Sequence, residues 1–331
     1  MRFSLIICTY MRPKALLNLL NSVKVQVLHP DEILIIDASL DNVTECLFES
    51  YKFHNLSYFK VDEQHRGLTK QRNFGISKVD QASDVICFLD DDTILDPEYF
   101  KNLLDTYVQY PQALGVGGYI TNEVEWQKAE ASPDSNHFYY DGWIRKEPIR
   151  FRVRSYLGLA PDTPPCYLPT FSHGRSVSFL PPSGKVYQVE QFMGGVSSYR
   201  TSVFKTIQFS SYFEGYGLYE DTDFCLRLAK LGPLYVNTAA RLSHHHEPQG
   251  RPNKYHYGKM VIRNGWYIWK VKYPKPNAKA RIKWYLTAFL LMKLTFIGVL
   301  TNKKKTAVFT EGLGRLIGLI SLIFNKPKHQ L

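Results

Sequence analysis

The sequence predicts an α/β protein with a doubly wound, mostly parallel sheet, followed by a basic helical extension. Short apolar runs alternate with amphipathic stretches over residues 1–120, as expected for strands connected by helices. The chain has 331 residues, 44% of them hydrophobic, which is enough for one large α/β domain with an appendage or for two modest domains. The C-terminal part is rich in Lys and Arg and contains two apolar segments.

The individual elements follow in chain order. Apolar runs with the length of buried strands lie at 3–8, 32–36, 56–61, 85–89 and 113–117. Helices are predicted between them at 14–25, 42–51, 68–79 and 97–107. Residues 120–189 are rich in Pro, Gly, Ser and aromatic residues, which indicates a flexible linker or a set of functional loops. Helices at 200–206 and 220–231 and a strand at 234–237 complete the predicted body.

The charge distribution and the cysteine content indicate which partners and which compartment to expect. Residues 241–331 carry 18 Lys and Arg against two acids, whereas residues 1–240 carry 23 basic and 28 acidic residues. The basic tail is therefore expected to face an anion, either nucleic acid or a phospholipid surface. The five cysteines are an odd number without a CxxC pair, and the first strand begins almost at Met1. These features predict a reduced, cytoplasmic protein without a signal peptide or zinc site.

Three aspartates, Asp90, Asp91 and Asp92, directly follow the predicted strand 85–89. Adjacent carboxylates repel one another and raise each other's pKa, so a cation is expected beside them. Carboxylates suit hard divalent cations such as Mg²⁺, which is often shared with substrate phosphates. Ligands in open α/β sheets bind beyond the carboxyl ends of the strands, where this triplet lies. The alternative is an acidic turn that caps the next helix.

Other polar residues are predicted at the same edge of the sheet. Asp37 ends the second strand, and Gly67 opens a helix that carries Arg72. Gly194 and Gly195 allow a close approach of the backbone to a ligand. No GxGxxG or P-loop sequence is present, which argues against dinucleotide and P-loop sites.

Acidic residues and histidines follow in the second half of the body. Glu220 and Asp221 open a predicted helix, where carboxylates serve either the helix dipole or general-base catalysis. His244, with His245 and His246 beside it, follows a short apolar segment and is a possible metal ligand.

In this order the motifs resemble those of the family 2 glycosyltransferases, which are inverting enzymes with the GT-A (nucleotide-diphospho-sugar transferase) fold. The resemblance covers roughly residues 3–250. It is carried by Ile7-Cys8-Thr9-Tyr10-Met11-Arg12-Pro13, Ile35-Ile36-Asp37, Gly67 with Arg72-Asn73, Phe88-Leu89-Asp90-Asp91-Asp92, Gly194-Gly195 with Arg200, and Glu220-Asp221 with Arg227.

The resemblance implies a role for each of these positions. Asp221 would be the catalytic base, and the metal, Mn²⁺ or Mg²⁺, would be held by Asp92 and His244. The acceptor side would contain Gly194, Gly195 and Glu220. The donor site would be formed by Thr9, Tyr10, Arg12, Asp37, Arg72, Asp90 and Asp91, with Asp37 reading the base.

The expected enzyme moves a sugar from a nucleotide-diphosphate donor to a hydroxyl of an acceptor sugar, either free or lipid-linked, in bacterial cell-surface polysaccharide or glycolipid assembly. Its catalytic domain would span 1–250, with a nucleotide-binding half at about 1–120 and an acceptor half at about 121–250. Residues 251–331 would form a basic, apolar helical extension. A nucleotidyltransferase of similar fold and a nucleic-acid-binding protein are the alternatives, although no nucleic acid is expected as a partner.

The two apolar segments of the extension, 284–300 and 307–324, are flanked by Lys and Arg. This pattern predicts helices on a membrane surface, or helices that pack on the body or on a partner subunit. The preferred interpretation is a peripheral enzyme on the inner face of the cell membrane.

Overall fold

The computed structural model of the chain describes residues 1–51, 53–130, 134–213, 215–246 and 252–328. They form two compact units, one of residues 1–124 and 182–250 and one of residues 125–181 and 251–331.

The strands of the described residues are β1 (Phe3–Thr9), β2 (Glu32–Asp37), β3 (Leu56–Lys60), β4 (Val85–Asp90), β5 (Thr93–Leu95), β6 (Gly115–Ile120), β7 (Gln127–Lys128), β8 (His137–Tyr140), β9 (Trp143–Lys146), β10 (Val186–Val189), β11 (Val196–Arg200) and β12 (Leu234–His244). The α-helices are α1 (Pro13–Lys24), α2 (Val43–Ser50), α3 (Leu68–Ile76), α4 (Tyr99–Gln109), α5 (Ile149–Tyr156), α6 (Glu220–Leu228), α7 (Lys254–Lys272), α8 (Ala278–Ile297) and α9 (Lys305–Phe324).

The first unit is built on one sheet with the strand order β10-β12-β6-β11-β4-β1-β2-β3, with β5 paired to β12. The pairs β3–β2, β2–β1, β1–β4 and β6–β12 are parallel, and β11 runs antiparallel between β4 and β6. Strands β1, β2, β3, β4, β6 and β12 therefore point in one direction. The predicted α/β, mostly parallel sheet is confirmed.

The apolar faces predicted from the sequence form the core of this unit. Leu5 and Ile7 of β1 and Leu16 and Leu19 of α1 are fully buried. Pro13 opens α1, where its missing N–H costs no intrahelical hydrogen bond. The parallel register places Thr9 beside Asp37, so the carboxyl ends of β1 and β2 end side by side.

Three predicted elements differ from the structure. The helix expected at 200–206 is a short 3₁₀ helix at Thr201–Lys205, because the preceding residues form β11. The strand expected at 234–237 is longer: it extends to His244 as β12 and includes the apolar segment 239–242. The irregular stretch 120–189 contains the β7-β9-β8 sheet, α5 and β10.

Residues 121–250, which were predicted to form the acceptor half, are divided between the two compact units, and their role as an acceptor half stays a prediction. Residues 125–181 group with the C-terminal helices because loop carbonyls are held by side chains of those helices. Trp269 Nε1 donates to Thr170 O at 2.9 Å, and Lys272 Nζ donates to Leu168 O at 2.8 Å. The expected boundary between 250 and 251 lies outside the described residues.

In the second unit, α9 packs on α7 through glycines. A Cβ atom on Gly258 would lie 2.2 Å from Glu311 O, and one on Gly314 would lie 2.0 Å from Tyr255 O. The helices therefore approach backbone to backbone, which larger residues would prevent.

Candidate active site

The middle aspartate of the triplet ties the ends of β1 and β4 together. Asp91 is 3% exposed. It accepts one hydrogen bond from Thr9 Oγ1 at 2.6 Å and another from Arg12 Nη1 at 2.9 Å. Burial raises the pKa of Asp91 to about 6, although Arg12 and Thr9 oppose this. Tyr10 lies half-buried in the bend after β1. Three residues predicted to bind the donor, Thr9, Arg12 and Asp91, are thus brought together by one carboxylate.

The two outer aspartates lie beside a histidine of β12. His244 Nε2 is 2.9 Å from Asp92 Oδ1, and one ligand atom from each of Asp90, Asp92 and His244 lies within 4.8 Å of the others. Burial favours the neutral ring, but Asp92 and Glu123 raise the pKa of His244 to about 10. Two carboxylates and an imidazole form a donor set suited to Mn²⁺, while the carboxylates alone would also suit Mg²⁺. The residues present fit a divalent cation.

Glu123 is an acid of this site that the sequence analysis did not select. Its Oε1 lies 3.5 Å from His244 Nδ1 and 3.0 Å from His246 Nε2, and the three residues form a second possible ligand group. His245 instead contacts Ser243 Oγ at 2.9 Å, so His244 and His246 are the histidines that face acids. Glu123 follows β6, and the carboxyl end of β6 lies at the same edge of the sheet as the aspartate triplet. This position after a strand is the feature of the sequence from which Glu123 could have been predicted.

A buried ion pair lies behind the triplet. Arg72 Nη1 donates to Glu220 Oε1 at 2.5 Å, Arg72 Nη2 is 3.7 Å from Asp90 Oδ1, and both Arg72 and Glu220 are 5% exposed or less. Burial lowers the pKa of Arg72. The carboxylates of Glu220 and Asp90 raise the same pKa, and the net shift is upward. Burial raises the pKa of Glu220, whereas Arg72 opposes that change. Arg72 therefore orients carboxylates here, and a direct contact with the nucleotide stays a prediction.

The segment Gly194-Gly195 passes directly over these groups. A Cβ atom on Gly194 would lie 2.6 Å from Arg72 Nη1 and from Glu220 Oε1. A Cβ atom on Gly195 would lie 2.1 Å from Asp90 Cγ. Only glycine fits at both positions without displacing these charged side chains.

The same segment holds Asp221. Gly194 N donates to Asp221 Oδ2 at 3.1 Å, and Thr222 N donates to Asp221 Oδ1 at 2.7 Å. Tyr219, the residue before α6, has a left-handed backbone with φ 71°, so the helix starts abruptly at Glu220. Burial raises the pKa of Asp221 against these two backbone hydrogen bonds. Gly194 and Gly195 thus join Asp221 to Asp90 in one site.

Asp37 lies apart from this cluster. It is fully buried, its Oδ1 accepts Ser39 N at 2.8 Å, and its Oδ2 accepts Tyr58 OH at 2.8 Å. Both carboxylate oxygens already accept hydrogen bonds, so a base would have to displace or share these partners. The expected contact between Asp37 and the base stays a prediction.

A model described as glycosyl transferase family 2 matches residues 4–167, and one described as the N-terminal domain of galactosyltransferase matches residues 174–246. The chain belongs to glycosyltransferase family 2. The assignment replaces both alternatives, a nucleotidyltransferase and a nucleic-acid-binding protein.

Two curated relatives and one solved structure are similar to this chain. The chain is 25% identical over 142 residues to the glucosyl-dolichyl phosphate glucuronosyltransferase of Haloferax volcanii, covering 42% of this chain and 44% of the relative. It is 35% identical over 105 residues to the O-antigen chain rhamnosyltransferase RfbN of Salmonella typhimurium, covering 31% of this chain and 32% of the relative. Less than half of each relative's length is matched. A crystal structure of GalNAc-T7 with UDP, GalNAc and Mn²⁺ superposes with a TM-score of 0.52 at 16% identity, over 81% of this chain and 49% of the other. This glycosyltransferase therefore has the GT-A fold.

Proposed function

We propose that this glycosyltransferase moves a sugar from a nucleotide-diphosphate donor to an acceptor hydroxyl with inversion of the anomeric centre, in bacterial cell-surface polysaccharide or glycolipid assembly. One observation carries the proposal: the backbone N–H of Gly194 holds Asp221, and the next residue, Gly195, lies against Asp90 of the Asp90, Asp92 and His244 cluster. A possible base and a possible metal site therefore lie side by side. The names of the two relatives, which refer to a dolichyl phosphate glycolipid and to the O-antigen chain, support the acceptor class.

The acidic edge has the chemistry needed by a diphosphate leaving group. Asp90, Asp92 and His244 would hold the divalent cation, Mn²⁺ or Mg²⁺. When bound, such an ion acts as a Lewis acid that offsets the charge developing on the leaving diphosphate. Arg12, paired with Asp91 and 3.7 Å from Asp92, adds a fixed positive charge at the same edge.

Asp221 would take the proton of the acceptor hydroxyl as that hydroxyl attacks the anomeric carbon. Attack on the face opposite the leaving group inverts the configuration. A base with a pKa raised towards the working pH accepts this proton more readily than an exposed aspartate. The backbone N–H groups of Gly194 and Thr222 fix the direction of the carboxylate.

The test is a panel of nucleotide sugars assayed for transfer and hydrolysis with Mn²⁺, with Mg²⁺ and with a chelator. We expect turnover with a cation, none in the chelator and none for Asp92→Ala, while the anomer of the product is identified by NMR. Full activity in the chelator would remove the metal role. A product that retains the donor's configuration would remove the role of Asp221 as the acceptor base.

We further propose that the second unit rests on an anionic membrane surface, on the cytoplasmic side. The small and charged side of α9 faces α7, with Gly314 and Gly318 buried, whereas Phe309 and Ile323 are 51% and 68% exposed. Helix α8 exposes a second apolar stripe: Ile282, Leu286, Phe289, Ile297 and, just beyond the helix, Leu300. By length and composition α9 could also cross a membrane. Glycines inside and large apolar residues outside are typical of helices in contact with lipid.

The lysines of this unit would add attraction to anionic lipids. Lys303, Lys304 and Lys305 are exposed at the start of α9, and each cation near such a surface contributes roughly 1 kcal/mol that salt screens. Apolar insertion adds a component that salt does not remove.

Vesicle flotation tests the membrane proposal with point variants. Truncation is unsuitable because removing α9 would uncover the packed side of α7. The variant Leu286→Ser/Phe289→Ser should reduce binding to anionic vesicles by roughly 10²- to 10⁴-fold, because each inserted side chain contributes roughly 1.5–3 kcal/mol. The control Val25→Ser/Val27→Ser removes two apolar side chains that are 64% and 62% exposed in the first unit. Equal binding of both variants, or no binding of the unaltered protein at low salt, would refute the proposal.

A further inference from the structure

The second unit contains a cleft of about 390 Å³ whose charged lining residues are all positive. Lys270 lies near the end of α7, Lys275 in the connection to α8, Arg281 in the first turn of α8 and Lys326 after α9. The remaining lining residues are Trp266, Pro276 and Pro327. Two helices and two segments outside the helices therefore bring four cations to one place.

No carboxylate balances these cations within residues 252–328. Glu311 is the one acidic residue of that range, and it pairs with Arg315 at 2.8 Å and with Lys254 at 3.6 Å. Burial and the neighbouring cations Arg281 and Lys326 lower the pKa of Lys270, as expected where like charges gather.

The cleft has an ordered floor. Trp266 is 4% exposed and packs against Trp269 and Trp284, with ring centroids 5.2 and 4.9 Å apart. Lys326 Nζ lies 5.7 Å from the centre of the Trp266 ring, and Lys270 Nζ donates a hydrogen bond to Pro274 O. The amino end of α8 adds the positive end of a helix dipole. The cations are thus arranged around a floor of packed tryptophan rings.

We propose that this cleft binds a phosphate or diphosphate group. Cations without carboxylate partners favour a multiply charged anion, and lysine and arginine are the side chains that most often bind phosphate. The volume exceeds what a phosphate group requires and lies in the range of small-molecule pockets, so the phosphate belongs to a larger molecule. That molecule is either a soluble phosphate ester or a lipid whose headgroup carries the phosphate. The proposal does not depend on the transfer reaction assigned to the first unit.

The test compares two charge-matched variants of the full chain. The pocket variant is Arg281→Gln/Lys326→Gln, and the control is Lys78→Gln/Lys205→Gln in the first unit, all four being exposed residues. Calorimetry measures binding of inorganic pyrophosphate in the presence of a chelator, which removes any contribution of a metal at the triplet. Flotation measures binding to phosphatidylcholine vesicles with and without phosphatidic acid.

We expect the pocket variant to bind about 25-fold more weakly, since each cation near a phosphate contributes roughly a factor of five. The control should bind pyrophosphate within about twofold of the unaltered protein, because its lysines lie outside the cleft. A loss confined to the pyrophosphate arm identifies a soluble ligand, and a loss in the vesicle arm identifies a lipid headgroup. Equal binding by the two variants in both arms, or no binding by the unaltered protein, overturns the proposal. If the pocket variant melts at a lower temperature, Lys275→Gln replaces it, since Lys275 is exposed and lies outside the helices.

Discussion

Replacing Gly195 by alanine tests whether Asp90 holds a metal ion. The new methyl carbon would lie 2.1 Å from Asp90 Cγ and Oδ2, whereas real Cβ contacts below 3.0 Å essentially do not occur. The carboxylate must therefore retreat by at least about 0.9 Å, the difference between those two distances. Metal–ligand distances tolerate deviations of only roughly 0.2 Å, so Asp90 would leave the ligand set.

The fold should survive this change. The Asp90 side chain is 39% exposed and can turn towards solvent. A reacting group misplaced by about 1 Å costs on the order of 10²-fold in rate, so we expect kcat/KM to fall by about that factor. The affinity for Mn²⁺ should fall as well. Electron paramagnetic resonance measures it through the concentration of free Mn²⁺ in a titration.

A second glycine supplies the control. On Gly232 a Cβ atom would meet the flexible side chain of Leu114, with the nearest contact at 2.8 Å. Gly232→Ala should keep both Mn²⁺ affinity and turnover, since Leu114 can adjust its rotamer. If Gly195→Ala is folded, binds Mn²⁺ as the unaltered protein does and keeps its rate within about threefold, Asp90 is not a ligand and the reasoning fails.

Three further predictions concern the remaining site residues. Asp221→Asn should lower transfer on the order of 10²-fold or more while donor binding survives; a near-normal rate together with an inactive Glu220→Gln would identify Glu220 as the base. Transfer should fall as the pH drops through the raised pKa of Asp221, because the base must be ionised, so the acidic limb of a kcat profile should lie above the ordinary range of an aspartate; a limb near pH 4 would contradict this. Tyr58→Phe removes the hydroxyl that competes for Asp37 Oδ2 and should tighten nucleotide binding several-fold in calorimetry; unchanged affinity would argue against Asp37 as the reader of the base.

Local patterns were sufficient to predict the parallel part of the sheet and its polar edge. Apolar runs of strand length and the helices between them are set by side-chain period, which is a property of neighbouring residues. The position of Asp90, Asp91 and Asp92 at the end of β4 follows directly from that reading. In contrast, β11 was not predicted, since its residues Ser197 and Ser198 are small and polar yet fully buried. Their hydroxyls donate to Gly194 O and Val116 O, contacts that only the assembled sheet supplies.

The sequence by itself determined the fold class, the acidic triplet and the glycine pair, because each is written in adjacent residues. Only the tertiary structure decided which distant groups meet. Arg72 pairs with Glu220 from 148 positions away, and Glu123 meets His244 because β6 and β12 lie side by side in parallel. The inward side of α9 was likewise decided by packing: a glycine surface fits backbone against α7, whereas composition would place its large apolar residues inside. Such contacts depend on strand register and on the space between helices, which no local pattern of residues specifies.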